Sequence, residues 1–339
     1  MPGNGPAQRQ RRPRRLTAPP LPAPERYAPE LLMLALLAAV VAQSWAATAL
    51  DHPAVQTWAT IFVSITVQAL PFLALGVTVS GAIAAFVPSS LIARLLPDRP
   101  LVAVPAAGVA GAVFPGCECG SVPVAGRLTA NGAAPAAAFA FMLAAPAINP
   151  VVLVATAVAF PGRPDMVVAR LLASFATAVA VGFLWARFGR REWLLQRRPH
   201  PVAAGSTRWE VFAGTARHDF LHAGGWLVVG SLAAATLQVV VPRSIMTSIS
   251  ETEWLAVVVL ATLAVVLAIC SEADAFVAAS LSQFSLTARL VFLVVGPVVD
   301  IKLIALHAGI FGRSFAIRFA PLTFVTAVVS ALGVGWWLL

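Results

Sequence analysis

The sequence predicts an all-α polytopic membrane protein built from two inverted repeats, and three observations predict this class. Of 339 residues, 59% are hydrophobic and 11% are charged, with a mean hydropathy of +0.86, which leaves too little polar surface for a soluble protein of this length. The apolar residues fall in runs of about 20, which match the ~30 Å hydrocarbon core. Two further runs are shorter and end in charged, cysteine-bearing segments. We therefore predict about seven full spans plus two hairpins, about eight to ten helical membrane segments in all.

Seven apolar runs are interpreted as full spans. They cover 31–50, 57–87, 134–160, 167–186, 221–241, 290–310 and 320–338. The residues before them, 1–29, are rich in proline and arginine and are predicted to form a disordered basic cytoplasmic tail, because they offer little apolar surface to bury. The first run also resembles a signal peptide, but it is about long enough to span a bilayer.

Two apolar segments are too short to cross. Residues 101–114 run into Pro115–Gly120, and residues 255–269 run into Cys270–Asp274. At 1.5 Å rise per residue, about 14 helical residues reach only about 21 Å. We therefore predict two re-entrant or broken hairpins, which a membrane tolerates only where protein or a water-filled cavity surrounds them.

The net charge of +9 is concentrated in particular segments of the chain. Arginines crowd into the tail and into a central loop at 189–217, as is typical of the cytoplasmic segments of helical membrane proteins. If residues 101–130 form a hairpin rather than a crossing, tail and loop lie on the same side. The pattern predicts a multi-pass protein of the cell membrane with a cytoplasmic N-terminus. No nucleic-acid partner is expected, because no folded basic domain is present to bind one.

The two halves of the chain share an order of unusual features. We divide the chain into a first membrane repeat at 30–188, which includes an extra N-terminal span, the basic loop 189–217, and a second membrane repeat at 218–339. A shift of 154 residues pairs Glu118 with Glu272. The predicted spans place the repeats in opposite orientations. Inverted repeats with interrupted helices near the midplane are typical of secondary transporters.

Charged residues in apolar surroundings are the first candidates for function. They are Glu118, Glu272, Asp274, Asp300 and Lys302. A charge at the bilayer centre costs ~2.5–3.5 kcal/mol on insertion scales and usually marks a pathway or a partner. Asp300 and Lys302 either neutralise charges within the bundle or couple transport to an ion. Asn149, which like Asp300 follows a proline by three residues, either serves backbone groups freed by that proline or binds a coupling ion.

All three cysteines lie at the two predicted breaks. Cys117 and Cys119 flank Glu118, and Cys270 precedes Glu272 by two residues. Thiolates and carboxylates together hold soft or borderline metals and metalloids, whereas buried cysteine is often only a small apolar residue. If the breaks meet, the thiols converge, with Cys117 and Cys119 as candidate metal ligands. The predicted substrate-binding set is Cys117, Glu118, Cys119, Cys270, Glu272 and Asp274.

Four motifs give residues 55–339 a resemblance to a known family. They are Phe114-Pro-Gly-Cys-Glu-Cys-Gly-Ser-Val-Pro-Val124, Ala144-Ala-Pro-Ala-Ile-Asn-Pro150, Ser271-Glu-Ala-Asp-Ala-Phe276 and Gly296-Pro-Val-Val-Asp-Ile-Lys302. In these motifs the sequence resembles the predicted-permease family that includes the ArsP-type organoarsenical efflux permeases. The resemblance implies a permease in which Cys117 and Cys119 match the paired cysteines that bind trivalent arsenicals. It also implies a role in metal homeostasis for some members, with a membrane or lipoprotein partner.

Together these features predict a secondary transporter that exports a thiol-reactive metalloid, an organoarsenical or a soft metal species. Its expected partners are the lipid bilayer and this small substrate, and no cofactor is expected. The sequence contains no phosphate-binding loop or hydrolase motif, so a conventional enzyme is not expected. Two alternatives stay open: a membrane thiol oxidoreductase that uses Cys117 and Cys119, and a non-transporting membrane subunit of a metal-homeostasis complex.

Overall fold

A computed structural model describes residues 53–88, 99–194, 207–240 and 253–339. In these ranges the secondary structure is helical throughout, which confirms the predicted all-α class. The α-helices are α1 Pro53–Phe86, α2 Pro100–Val113, α3 Glu118–Ala130, α4 Pro135–Ile148, α5 Pro150–Ala159, α6 Pro164–Phe188, α7 Arg208–Val240, α8 Glu253–Leu267, α9 Asp274–Ser280, α10 Leu286–Val295, α11 Ile301–Ile310 and α12 Arg313–Leu338. The tail 1–29 and the predicted span 31–50 lie outside the described residues.

Five helical stretches in the described part of the chain are long and apolar enough to cross a membrane. They are Pro53–Phe86, Pro135–Ala159, Pro164–Phe188, Arg208–Val240 and Arg313–Leu338. They coincide with the predicted spans 57–87, 134–160, 167–186, 221–241 and 320–338. The shortest have 25 residues, which at 1.5 Å per residue extend about 38 Å, enough to cross the hydrocarbon core.

The predicted span 290–310 is not one continuous helix. It is divided into α10 and α11, two ten-residue helices separated by Gly296–Asp300. Pro297 has no backbone N–H to continue α10, and the side chain of Asp300 accepts a hydrogen bond from the N–H of Leu303 at 2.6 Å, which starts α11 anew. The span 134–160 is interrupted in the same way at Asn149, between α4 and α5.

Each predicted hairpin consists of a helix, a break and a second helix. Helices α2 and α8 have 14 and 15 residues and rise about 21–23 Å, short of a full crossing. The break after α2 contains Pro115 and Gly116 and ends where α3 begins. The break after α8 begins at Ala268, whose φ of 47° is the left-handed conformation that commonly ends a helix.

The order of elements in α1–α6 recurs in α7–α12, and so do several packing contacts. Helix α2 packs on α4 and α4 on α6, while α8 packs on α10 and α10 on α12. Other contacts join the halves: α1 packs on α7, α6 on α12, α3 on α11 and α5 on α9. Helices α4 and α10 are almost entirely buried. This packing brings both breaks into the interior of the bundle.

Candidate functional site

The first break delivers two thiols and a carboxylate to the start of α3. The carbonyl of Cys117 accepts hydrogen bonds from the N–H groups of Gly120 and Ser121 at 3.1 and 3.2 Å, which begins the helix. Glu118 and Cys119 follow in its first turn, where backbone N–H groups have no intrahelical acceptor. The two Sγ atoms and a carboxylate oxygen of Glu118 lie within 4.8 Å of one another, and all three side chains are buried. These donors suit a soft or borderline metal or a metalloid.

The second break carries Cys270 to the same place. Its carbonyl accepts hydrogen bonds from the N–H groups of Ala273 and Asp274 at 2.9 and 3.1 Å, which shapes the turn before α9. The thiol of Cys117 interacts with those of both Cys119 and Cys270. All three cysteines are buried free thiols. The structure therefore places Cys270 beside the Cys117 and Cys119 pair, although only Glu118 joins those two thiols in the set whose donor atoms lie within 4.8 Å of one another.

Lys302 of α11 is the cation at the centre of this site. Its Nζ lies 2.6 Å from Oε1 of Glu118 and 3.4 Å from Oδ2 of Asp300. The same ammonium donates to the carbonyl of Ala268 at 2.9 Å. Lys302, Glu118 and Asp300 are each at most 1% exposed. One buried ammonium thus links the first break, the second break and the start of α11.

The two breaks also touch directly. The hydroxyl of Ser271 donates to Oε2 of Glu118 at 3.4 Å. The neighbouring Glu272 is half-buried, and its Oε2 is buried without a hydrogen-bond partner among the described residues. Glu118 and Glu272, which the shift of 154 residues pairs, therefore both lie at the junction of the two breaks. Lys302 binds Glu118, whereas Oε2 of Glu272 can still accept a ligand.

Asp274 is held by a residue that the sequence analysis missed. Arg170 of α6 donates through Nη2 to both carboxylate oxygens of Asp274, at 2.9 and 3.1 Å, and to the carbonyl of Ser271 at 3.1 Å. Its Nη1 donates to the hydroxyl of Thr156 at 2.8 Å. Arg170 is fully buried. It is the one charged residue in the predicted span 167–186, which by itself marks it as a candidate.

Asn149 and Asp300 occupy matching places, each at the N-cap of the second helix of a broken pair. Oδ1 of Asn149 accepts from the N–H of Val152 at 3.0 Å, and its Nδ2 donates to the carbonyls of Ala145 and Gly116 at 2.9 and 3.3 Å. Of the two interpretations left open for Asn149, these contacts support the one in which its side chain hydrogen-bonds backbone groups that have no helical partner at the break. Asp300 caps α11 with one oxygen and faces Lys302 with the other.

Comparisons with known proteins identify the family of this chain. The UPF0718 protein YcgR of Bacillus subtilis (strain 168) is 37% identical over 277 residues, which cover 80% of this chain and 94% of that protein. A Streptococcus mutans protein named putative two-component membrane permease complex subunit is 32% identical over 283 residues, covering 81% of this chain and 94% of that protein. No solved structure matches the chain significantly. The ArsP_1 family, described as predicted permease, matches residues 54–335. With its long apolar helices, the chain is therefore a membrane protein that belongs to the ArsP_1 family of predicted permeases.

Proposed function

We propose that the chain is a secondary transporter that exports a thiol-reactive metalloid species, such as an organoarsenical, or a soft metal ion. The observation that carries this proposal is the convergence of Cys117, Cys119 and Cys270 beside Glu118 at the junction of two helix breaks. Sulfur donors select soft ions. Their burial inside a bundle of membrane-length helices suits a substrate that must pass through the protein rather than remain on it.

We place this site between two inverted repeats, 30–188 and 218–339, joined by the cytoplasmic loop 189–217. The recurring element order and the packing of α1 on α7 and of α6 on α12 support this arrangement. In transporters of this kind the site lies near the midplane of the cell membrane, at discontinuous helices on the repeat interface. Rocking of one repeat against the other then exposes the thiols to each side in turn. The tail 1–29 lies in the cytoplasm.

Lys302 gives the proposed transporter a coupling group. While its ammonium is bound to Glu118, one oxygen of that carboxylate is not available to a ligand. A substrate ligated by thiolates must also displace protons from the thiols, because the thiolate is the ligand. Substrate binding and proton release are therefore linked at one site. Asp300 offers the ammonium a second carboxylate when Glu118 turns to the substrate.

The test is flux through the purified full-length protein in proteoliposomes. Candidate substrates are a trivalent organoarsenical, trivalent antimony, Zn²⁺ and Cu⁺. The double change Cys117→Ser and Cys119→Ser should abolish flux of the accepted substrate. Ala130→Ser, at the other end of α3, adds a hydroxyl on an exposed position and should leave the flux unchanged. Undiminished flux in the double variant would remove Cys117 and Cys119 from the mechanism.

A second candidate is a subunit that acts only with a partner. The Streptococcus mutans relative, named as a subunit of a two-component permease complex, favours it. Flux through the chain alone would show that no partner is needed. Flux that appears only after a co-purifying membrane or lipoprotein partner is added would assign the chain to a complex. The thiol oxidoreductase alternative instead predicts a disulfide between Cys117 and Cys119 that forms and disappears in cells, which alkylation trapping detects.

A further inference from the structure

A cleft with a mixed polar and apolar lining lies between α1 and the second break. Its volume is about 260 Å³, room for roughly nine waters at about 30 Å³ each. Its polar lining comes from Thr60, Ser64 and Gln68 of α1 and Gln238 of α7. Ile61 and Ile65 of α1 and residues 267–270 complete the wall. The three polar residues of α1 recur every four positions, which places them on one face of the helix.

This cleft leads to the thiol site. Cys270 lines it, and the thiol of Cys270 interacts with that of Cys117. The side-chain amide of Gln238 donates to the carbonyl of Leu267, the last residue of α8, at 2.7 Å. This hydrogen bond holds α7 against the part of the cleft wall that α8 forms. The cleft therefore ends at Cys270, on the side of the second break that faces α1.

The opposite end of α1 is joined to α3 and α7. In the second half of α1, Gly76 packs so tightly on Gly120 that a Cβ on either glycine would meet backbone atoms. Beyond it, the hydroxyl of Ser80 donates to Oδ2 of Asp219 at 2.6 Å, and Nη2 of Arg127 reaches the same oxygen at 2.9 Å. Ser80 lies about 18 Å along the helix from Gln68, at 1.5 Å per residue. The thiol site thus lies between an open cleft and a polar lock formed by Ser80, Arg127 and Asp219.

We propose that this cleft is the solute access route to Cys270, entered from the Pro53 end of α1, and that the polar lock closes the route from the other end. The lining carries no charge: the hydroxyl and amide groups of four residues lie beside the apolar side chains of Ile61, Ile65 and residues 267–269. The cleft therefore suits an uncharged, partly apolar small solute. The use of the route in transport rests on the proposed function. Its existence does not, because access to Cys270 is measurable without any flux.

The experiment measures the rate at which N-ethylmaleimide modifies Cys270 in the full-length protein carrying Cys117→Ser and Cys119→Ser. Gln68→Trp fills the cleft and should slow modification about tenfold or more, since thiol reactivity follows access. Val67→Trp is the matched control. Val67 is the preceding residue, is 58% exposed and does not line the cleft, so this variant should react at nearly the starting rate.

Equal rates in Gln68→Trp and Val67→Trp would overturn the proposal, as would a Cys270 that the reagent does not modify before any blocking change. A milder variant, Gln68→Ala, guards against misfolding: it widens the cleft and should react at least as fast as the starting protein. A slower Gln68→Ala would count against the route. Absence of flux of every candidate substrate through the protein with all three cysteines intact, together with the expected labelling pattern, would refute the transport function while leaving the cleft in place.

Discussion

The Nζ of Lys302 lies 2.6 Å from Oε1 of Glu118, and both groups are buried. Glu118 belongs to the first break and Lys302 to the broken pair of the second half, so this ion pair joins the two halves of the chain. A buried pair of this kind makes the removal of one partner costly, because the other charge is left without compensation.

Lys302→Met should therefore destabilise the protein by about 3–5 kcal/mol. Adding Glu118→Gln should recover part of the loss, because it removes one uncompensated carboxylate. Thermal unfolding of the detergent-solubilised protein measures both. Arg163→Gln, which breaks the exposed pair with Asp165, should cost at most about 1 kcal/mol. A loss no larger in Lys302→Met than in this control would contradict the central role of the pair.

Arg170 and Asp274 should behave as one unit. Arg170→Met leaves a buried carboxylate unpaired, and Asp274→Leu leaves a buried guanidinium unpaired, so each change alone is strongly destabilising. The double variant should lose less than the sum of the single losses, with a coupling of about 0.5–3 kcal/mol. The unfolding midpoints of the starting protein and all three variants provide this double-mutant cycle. Strictly additive losses would show that the contacts at 2.9 and 3.1 Å do not stabilise the second break.

The close approach of α1 to α3 depends on Gly76. Its Cβ would meet the backbone of Gly120, whereas a Cβ on Gly225 in α7 would have nothing within 4 Å. Gly76→Ala should therefore displace α3 and lower both stability and binding of the accepted substrate. Gly225→Ala should be neutral or stabilising by up to about 1 kcal/mol, because alanine is the better helix former. Equal behaviour of the two variants in unfolding and binding assays would argue against tight packing at Gly76.

The polar lock can be tested through Cys270. In the protein whose cleft is blocked by Gln68→Trp, Asp219→Asn weakens the contacts of Asp219 with Ser80 and Arg127. N-ethylmaleimide modification of Cys270 should then recover in part, since reagent enters from the opposite end. Asp165→Asn, which alters only an exposed pair, should leave the blocked rate unchanged. A rate that stays blocked after Asp219→Asn would show that other contacts close this end.

The capping contact of Asn149 at the start of α5 predicts a smaller effect on stability. Asn149→Ala removes the acceptor for the N–H of Val152 and should cost about 1 kcal/mol. Asn149→Ser keeps an acceptor at the same position and should retain most of the stability. Thermal unfolding compares the two. If Asn149→Ala instead left stability intact and abolished ion-dependent flux, the ion-coupling reading would replace the capping one.

The breaks were predictable because their cause is local: prolines, glycines and charges interrupt apolar runs that are too short to cross. The division of 290–310 has a local cause too, since Pro297 and the N-capping Asp300 both disfavour a continuous helix. The prediction of one span there rested on the length of the apolar run alone. The partnership of Glu118 with Lys302 was not predictable. The two residues lie far apart in sequence, and no local spacing says which buried cation will meet which buried carboxylate.

The carbonyl of Ala268 and the carboxylate of Glu118 share one partner, the ammonium of Lys302. The left-handed backbone of Ala268 directs its carbonyl away from α8, and that carbonyl is held by the same ammonium that neutralises Glu118. A cation or metalloid that draws Glu118 away from Lys302 therefore loosens or shifts the hold on the end of α8 as well. A ligand bound at Glu118 in the first break would thus change how firmly Lys302 holds the carbonyl of Ala268 in the second break.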